Sequence, residues 1–400
     1  MISLGCYDQG LPDSACQDYL QLIATQTRLR LDEIQPGPDR LALQAYAPTP
    51  NAPMTVREVQ TALRDLGFFP AGKADGICGY RTQAALRLFQ EYVRTAEQQA
   101  EMVPDGRFGP ISQRHLRRWL QSGQRPRWAQ RREAWLANPA ADSPMRRWLN
   151  LLQTVKAERL ARPSAVLQRV NAWAKPTDTA KVAQWRYDDP QDVHLIGVRR
   201  SQATGKFDDV FVLLLDGLVF KFQGSTEPGS TEDPRGLPFL VPGQHNYHFG
   251  WHKHTYLALR PLSDGVLVVR SKDARFDEAD LVNGLEANAS INIHWGGRGE
   301  GRAINSWSEG CQVINGTLYI DDSDTLVSCA AFAALSPAEV ASNPDKTRGA
   351  YNLLADLVTA FSSENPRQAV KYTLLEEGDL KLDAQMAAAF DADRVRVVTV

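Results

Sequence analysis

In "TVREVQTALRDLGFF" the apolar residues Val56, Val59, Leu63 and Leu66 recur at helical spacing. Thr55 with Glu58 forms a capping-box pattern at the front, and Gly67 stands where the helix should end. A second helix is expected after "ADGICGYRT", with Thr82, Ala85, Leu86 and Phe89 on its buried side. "VPDGRFGPISQRHLRRWL" then repeats the device: Asp105-Gly106, Gly109, and a helix carrying Leu116 and Trp119. In each DGxxG turn, Asp-Gly provides a tight bend with a positive φ, and the second Gly permits close approach before the helix. Residues 121–185 continue as Trp- and Arg-bearing helical segments, read as a solvated basic face over a packed seam.

From Val193 the period changes from helical to alternating. "VFVLLLDGLVFKFQG" is two apolar runs around Asp216-Gly217, a hairpin signal. "TYLALRP" and "GVLVVRS" read as a second antiparallel pair joined near Asp264-Gly265. "ASINIHW" alternates up to His294 and opens into a Gly-rich loop. Short strands with Gly turns imply a β-sandwich or partly open barrel. After Cys329 the pattern is helical, with strand-like pieces such as "RVRVVTV" at the end.

The expected fold class is therefore multidomain α+β. Its parts are an N-terminal segment and linker (1–50), a small three-helix domain (51–122), a basic helical linker (123–190), a mainly β domain (191–330) and a helical C-terminal extension (331–400). The 45 Lys and Arg against 47 Asp and Glu leave a net charge of −2. That near-neutrality speaks against a general affinity for nucleic acid or anionic lipid. No apolar run approaches the roughly 18 residues of a membrane span. The first twenty residues lack the basic and apolar regions of a secretory signal, so synthesis in the cytoplasm is expected. Five cysteines (Cys6, Cys16, Cys78, Cys311 and Cys329) are odd in number and have no CxxC spacing, which fits neither a disulfide framework nor a zinc site.

The candidate chemistry lies in "INIHWGGRGEGRAINSWSEGCQVI". A thiol is a usable nucleophile, and a neighbouring imidazole raises its thiolate fraction. Gly310 before Cys311 lets the backbone turn N–H groups towards an oxyanion, and a strand gives His294 a rigid mount as general base. Cys329, among small apolar residues, reads as core.

Two families are resembled. Residues 54–120, with the helix–DGxxGxxT–helix pattern, resemble the three-helix peptidoglycan-binding domain that accompanies cell-wall enzymes. The central "EYVRTAEQQAEM" and Ser112 depart from its usual pattern. Residues 193–328 resemble the YkuD-like L,D-transpeptidases: a strand-borne His, a Gly-containing loop, then S-x-G-C, preceded by a T-x-P-G-type turn at Ser225-Thr226-Glu227-Pro228-Gly229. The resemblance implies Cys311 as nucleophile and His294 as base, an oxyanion hole from the amides of Cys311 and Gly310, and Ser308 shaping the turn. Trp307, Arg302, His252, His254 and Tyr256 become candidates for substrate contacts. Glu309 stands where family members carry a second His, and Val313 where Arg or Asn is common. The implied activity is acyl transfer on stem tetrapeptides through a thioester: L,D-transpeptidation, D-amino-acid exchange or L,D-carboxypeptidation. No cofactor is implied. The implied partners are peptidoglycan stem peptides and glycan, with a secretion apparatus or immunity protein if the chain is an antibacterial effector or phage lysis protein exported to the periplasm or wall.

Two alternatives stand beside this reading. One is a non-catalytic wall-binding protein whose site has decayed at Glu309. The other is a zinc peptidase using His245, His248, His252 and His254, although their spacing matches no metal motif.

Overall fold

The computed structural model describes residues 54–380, except 71, 140–142, 201–204, 230–232, 253–255, 274, 300–303, 305–306, 344 and 362–369. Cys6, Cys16, Arg302, His254 and the terminal "RVRVVTV" lie outside the described residues, as do the expected segment 1–50 and residues 381–400 of the expected extension.

Val56–Asp65 form α1, opened by the reciprocal Thr55/Glu58 capping box. Tyr80–Ala96 form α2 and Pro110–Ser122 form α3. The turns between them are two copies of one network. Gln60 Nε2 donates to Asp75 Oδ1 (3.0 Å), the Ile77 carbonyl (2.9 Å) and Thr82 Oγ1 (3.0 Å), while the Gly76 amide donates to its Oε1 (2.8 Å). Thirty residues on, Gln90 makes the same four bonds with Asp105, Arg107, Ser112 and Gly106. Ser112 thus supplies the hydroxyl that Thr82 supplies in the first turn. Gly76 (φ +83°) and Gly106 (φ +78°) occupy the left-handed region, which explains Asp-Gly at both places.

The stretch expected as a basic linker is packed structure. It forms α4 (Arg127–Ala137), α5 (Pro144–Ala161) and α6 (Ala165–Ala172), with Trp128, Trp135 and Trp148 buried. Its arginines grip acidic turns of the β domain. Arg127 pairs with Asp321 (2.8 Å) and Asp322 (2.9 Å), Arg131 with Asp322 (2.8 Å) and Arg132 with Asp216 (2.8 Å). Trp128 donates its indole N–H to Asp322 as well (2.9 Å).

The β region runs β1 (His194–Arg199), β2 (Asp209–Leu215), β3 (Leu218–Ser225), β4 (Leu237–Leu240), β5 (Gly243–His252) and β6 (Tyr256–Pro261). It continues through β7 (Val266–Ser271), β8 (Glu286–Asn288), β9 (Ile293–Trp295), β10 (Gln312–Ile320) and β11 (Leu326–Ser328). Helices α7 (Pro337–Ser342) and α8 (Ala350–Phe361) precede β12 (Val370–Glu376). The order β10-β3-β2-β1-β12-β5-β6-β9 closes on itself through β9–β10, giving an eight-stranded barrel. Phe211, Tyr247 and Tyr372 meet inside it from three strands, with Tyr372 at 6.2 Å from Phe211 and 5.7 Å from Tyr247, centroid to centroid. The Asp216-Gly217 hairpin joins β2 and β3 in the expected register.

Two expectations are corrected. The described part of the expected helical extension, 331–380, holds α7 and α8 but also a strand. Strand β12 sits in the middle of the barrel, parallel to β1 and antiparallel to β5, because its alternating Tyr372 and Leu374 complete the interior. Nor do "TYLALRP" and "GVLVVRS" pair with each other: β6 joins β5 and β9, whereas β7 joins β4 and β8 in a separate three-stranded sheet. Asp178 causes the divergence. Its Oδ2 accepts the amides of Ser263 (2.9 Å), Asp264 (2.8 Å) and Gly265 (2.8 Å) and bends the chain out of the barrel.

The helical domain is fused to this body. Arg87 on α2 makes a bidentate pair with Asp356 on α8 (2.7 and 2.6 Å), and Tyr319 donates its hydroxyl to Glu91 (2.5 Å). Tyr92, Trp128 and Phe220 stack edge-to-face across the boundary, at 5.1 and 5.4 Å.

Candidate functional site

His294 and Cys311 come together because β9 and β10 are parallel neighbours. Val313 pairs with His294 and Gln312 with Ile293, so Cys311 lies beside Asn292 at the mouth of β10. The Gln312 amide donates to the Asn292 carbonyl (2.8 Å), and the Asn292 amide donates to Cys311 Sγ (3.4 Å). The thiol in turn is 3.3 Å from the Ser290 carbonyl. Cys311 is partly exposed, whereas Cys78 and Cys329 are buried. Burial pushes the Cys329 thiol well up from its ordinary value, consistent with its reading as core.

The turn before Cys311 is built by Ser308. Its hydroxyl donates to the Cys311 carbonyl (2.6 Å) and accepts from the Gly310 amide (3.0 Å). The Ser308 carbonyl also accepts from the Gly229 amide (2.8 Å), which fastens the Ser225–Gly229 turn to the loop before Cys311. Gly310 has φ +154°, and a Cβ there would lie 2.6 Å from Pro238 Cγ, so a larger residue would displace the turn. The Gly310 amide, named by the resemblance as a second oxyanion donor, is bonded to the Ser308 hydroxyl.

His294 is buried, and its Nδ1 is 2.8 Å from the Trp295 carbonyl. That contact requires a proton on Nδ1, which makes the other ring nitrogen the unprotonated one in the neutral ring. The His252 ring stacks on it at 4.3 Å with a 22° interplanar angle, and Asn292 Nδ2 lies 3.3 Å from His252 Nδ1. Tyr256, expected at the substrate, is buried behind the histidine, its hydroxyl donating towards the Trp295 carbonyl (3.3 Å) and 3.4 Å from His294 Nδ1. Burial raises the Tyr256 phenol, keeping it a hydrogen-bond donor. Trp307 packs edge-on against Trp295 (5.7 Å). Val313 is buried in a small apolar cluster with Phe207 and Ile304, and Glu309 is exposed.

The described histidines of 245–254 do not converge. His245 is buried between Thr179 Oγ1 (2.9 Å) and the Val241 carbonyl (3.0 Å), and burial lowers it to about 3. His248, on the other face of β5, is lowered by burial to about 4. His252 belongs to the His294 stack. Among the described residues no group of three His, Cys, Asp or Glu could hold a metal ion.

Sequence reading missed Asn292 and Arg260. Asn292 carried a signal, standing two residues before His294 and so on the same face of the strand. Arg260 carried none, since its place depends on how β6 meets β9. A cavity of about 710 Å³ bordered by Trp185, Arg199, Phe239 and Glu376 includes neither Cys311 nor His294.

Residues 55–116 match the peptidoglycan-binding domain family. The helical domain with its duplicated glutamine network is therefore a peptidoglycan-binding domain, matched over a minority of the chain. No curated protein matches the sequence. A solved structure, that of a fused Zn-dependent amidase/peptidase/peptidoglycan-binding domain-containing protein from Clostridium acetobutylicum, is similar at 16% identity, covering 65% of this chain and 85% of its own. Its TM-score of 0.21 is too low to show a shared fold.

Proposed function

We propose that the protein is a cysteine acyltransferase of the L,D-transpeptidase type acting on peptidoglycan stem tetrapeptides. The observation that carries the reading is the pairing of β9 with β10. It sets a partly exposed thiol and a tautomer-fixed imidazole on adjacent strands of one barrel, behind a turn that only glycine fits. The attached peptidoglycan-binding domain supports the choice of substrate.

In this mechanism the second ring nitrogen of His294 takes the Cys311 proton. The thiolate adds to the carbonyl carbon of the third stem residue, and the carbonyl electron pair moves onto oxygen beside the Cys311 amide. Collapse breaks the C–N bond, the proton on His294 passes to the departing amine of the terminal D-alanine, and a thioester remains. An acceptor amine then gives a crosslink or exchange, and water gives carboxypeptidation. Trp295, through its carbonyl, and the stacked His252 hold the base in place. The chain would meet this substrate in the periplasm or wall after specialised export.

The test is mass spectrometry of a disaccharide-tetrapeptide incubated with the protein and with Cys311→Ala. Loss or exchange of D-alanine, or dimer formation, is expected with the intact thiol alone. Tetrapeptide left unchanged by both proteins would sink the assignment.

A further inference from the structure

The acyl transfer makes no use of Arg260, a charged residue in register with the thiol. Leu259 of β6 pairs with Ile293 of β9, and Ile293 pairs with Gln312 of β10. Stepping one residue along each strand aligns Arg260, Asn292 and Cys311 in a row. Paired residues share a face of the sheet, so the three lie on the same side. The thiol end of the row is held by the Asn292 amide at 3.4 Å. Arg260 is partly exposed. Burial lowers its guanidinium below the ordinary value, and negative charge on Cys311 acts in the opposite direction, so the cation and the sulfur feel one another. Arg348, a further cation among the described residues, is held over the rings of Tyr256 (4.5 Å) and Trp295 (5.8 Å) behind His294.

Two strand spacings separate the backbones of Arg260 and Cys311, roughly 10 Å. An extended arginine covers much of that gap. When a bond to a single C-terminal residue is cut, the carboxylate carbon of that residue lies within about 4 Å of the attacked carbonyl carbon. A guanidinium extended along the row from two strands away would meet a carboxylate there, and its planar fork suits bidentate binding. Asn292 is a second polar group in the row. Its donor, Nδ2, lies 3.3 Å from His252 Nδ1, so Arg260 is the group in the row that a carboxylate would pair with.

We propose that Arg260 is the specificity-determining residue of this site: it binds the free carboxylate of the leaving residue and so directs Cys311 to the last peptide bond of a chain. Val313, buried in its apolar cluster, offers no charge for this purpose. The inference rests on the acyl-transfer reading, because it presumes a leaving residue beside the thiol.

The probes are the disaccharide-tetrapeptide ending in D-alanine and its C-terminal carboxamide. Titrated calorimetrically into the Cys311→Ala protein, the acid should bind roughly 10- to 100-fold more tightly than the amide, as for a hydrogen-bonded charge. Adding Arg260→Gln should abolish the preference, and Arg260→Lys should keep part of it. In the enzyme with its thiol, Arg260→Gln should raise KM for the acid far more than it lowers kcat. Equal binding of acid and amide by Cys311→Ala overturns the proposal without any change at Arg260. A full acid preference surviving in a folded Arg260→Gln protein overturns it too. If the Arg260-dependent preference is present but no D-alanine is ever released, the acyl-transfer reading fails while the carboxylate site stands.

Discussion

Replacing Arg87 with Met removes the cation that faces Asp356 across the boundary between the helical domain and the barrel. The pair is closed on both oxygens, and the side chains are 12% and 2% exposed. Breaking a buried pair from one side costs about 3–5 kcal/mol, because the remaining charge loses its partner. The structure also fixes how that cost varies with pH. Burial raises Asp356 to about 6 even with Arg87 present. A carboxyl raised in the folded state contributes stability below its unfolded value, and that contribution is lost as pH rises through the folded one. In the wild type this loss is complete once Asp356 ionises near pH 6. Without Arg87 the carboxyl stays protonated to higher pH, and the loss continues at about 1.4 kcal/mol per pH unit. The deficit of Arg87→Met should therefore be about 2 kcal/mol larger at pH 7.5 than at pH 6. Urea unfolding at several pH values, followed by tryptophan fluorescence and far-UV circular dichroism, measures it. Arg87→Met with Asp356→Leu should recover most of the loss. A deficit below about 1 kcal/mol, or one that does not change with pH, would refute the electrostatic account. Separate melting of the helical domain would refute the shared core.

Two further outcomes follow from the same kind of reasoning. Gln60→Ala and Gln90→Ala remove equivalent sets of four hydrogen bonds, so each should cost about 2–5 kcal/mol and the two should agree within about 1 kcal/mol in chemical denaturation. Unequal costs would mean that the repeats carry different loads. Asp209 is buried and raised to about 7 by desolvation, so wild-type stability should fall as pH rises from about 4 to about 7. Asp209→Asn should flatten that slope, removing up to roughly 4 kcal/mol of variation, as read from denaturation midpoints across the range. An unchanged slope would assign the pH dependence to other groups.

What could be read from sequence was what is settled within a few residues. The capping box at Thr55, the Asp-Gly turns and the Asp216-Gly217 hairpin each carry their own conformational reason. The spacing from His294 to Cys311 was legible because one loop joins their strands. The errors share a long reach. The parting of β6 from β7 is imposed by Asp178, more than eighty residues upstream of the turn it caps, and periodicity cannot register that bond. The basic helices were visible, but their partners Asp216, Asp321 and Asp322 stand on distant turns. Arg260 comes into register with Asn292 and Cys311, and His252 stacks on His294, only through the order of strands around the barrel, which no local window contains.

The position of β12 bears on how the protein is made. The ribosome completes Cys311 well before it reaches residues 370–376, yet those residues form the stave between β1 and β5. A nascent chain that already carries thiol and imidazole still has an unclosed barrel, with nothing to clamp β5 and β6 beside β9. Closure of the barrel thus waits on a strand that follows both side chains in the sequence, so the neighbourhood of Cys311 and His294 depends on a stave made after them.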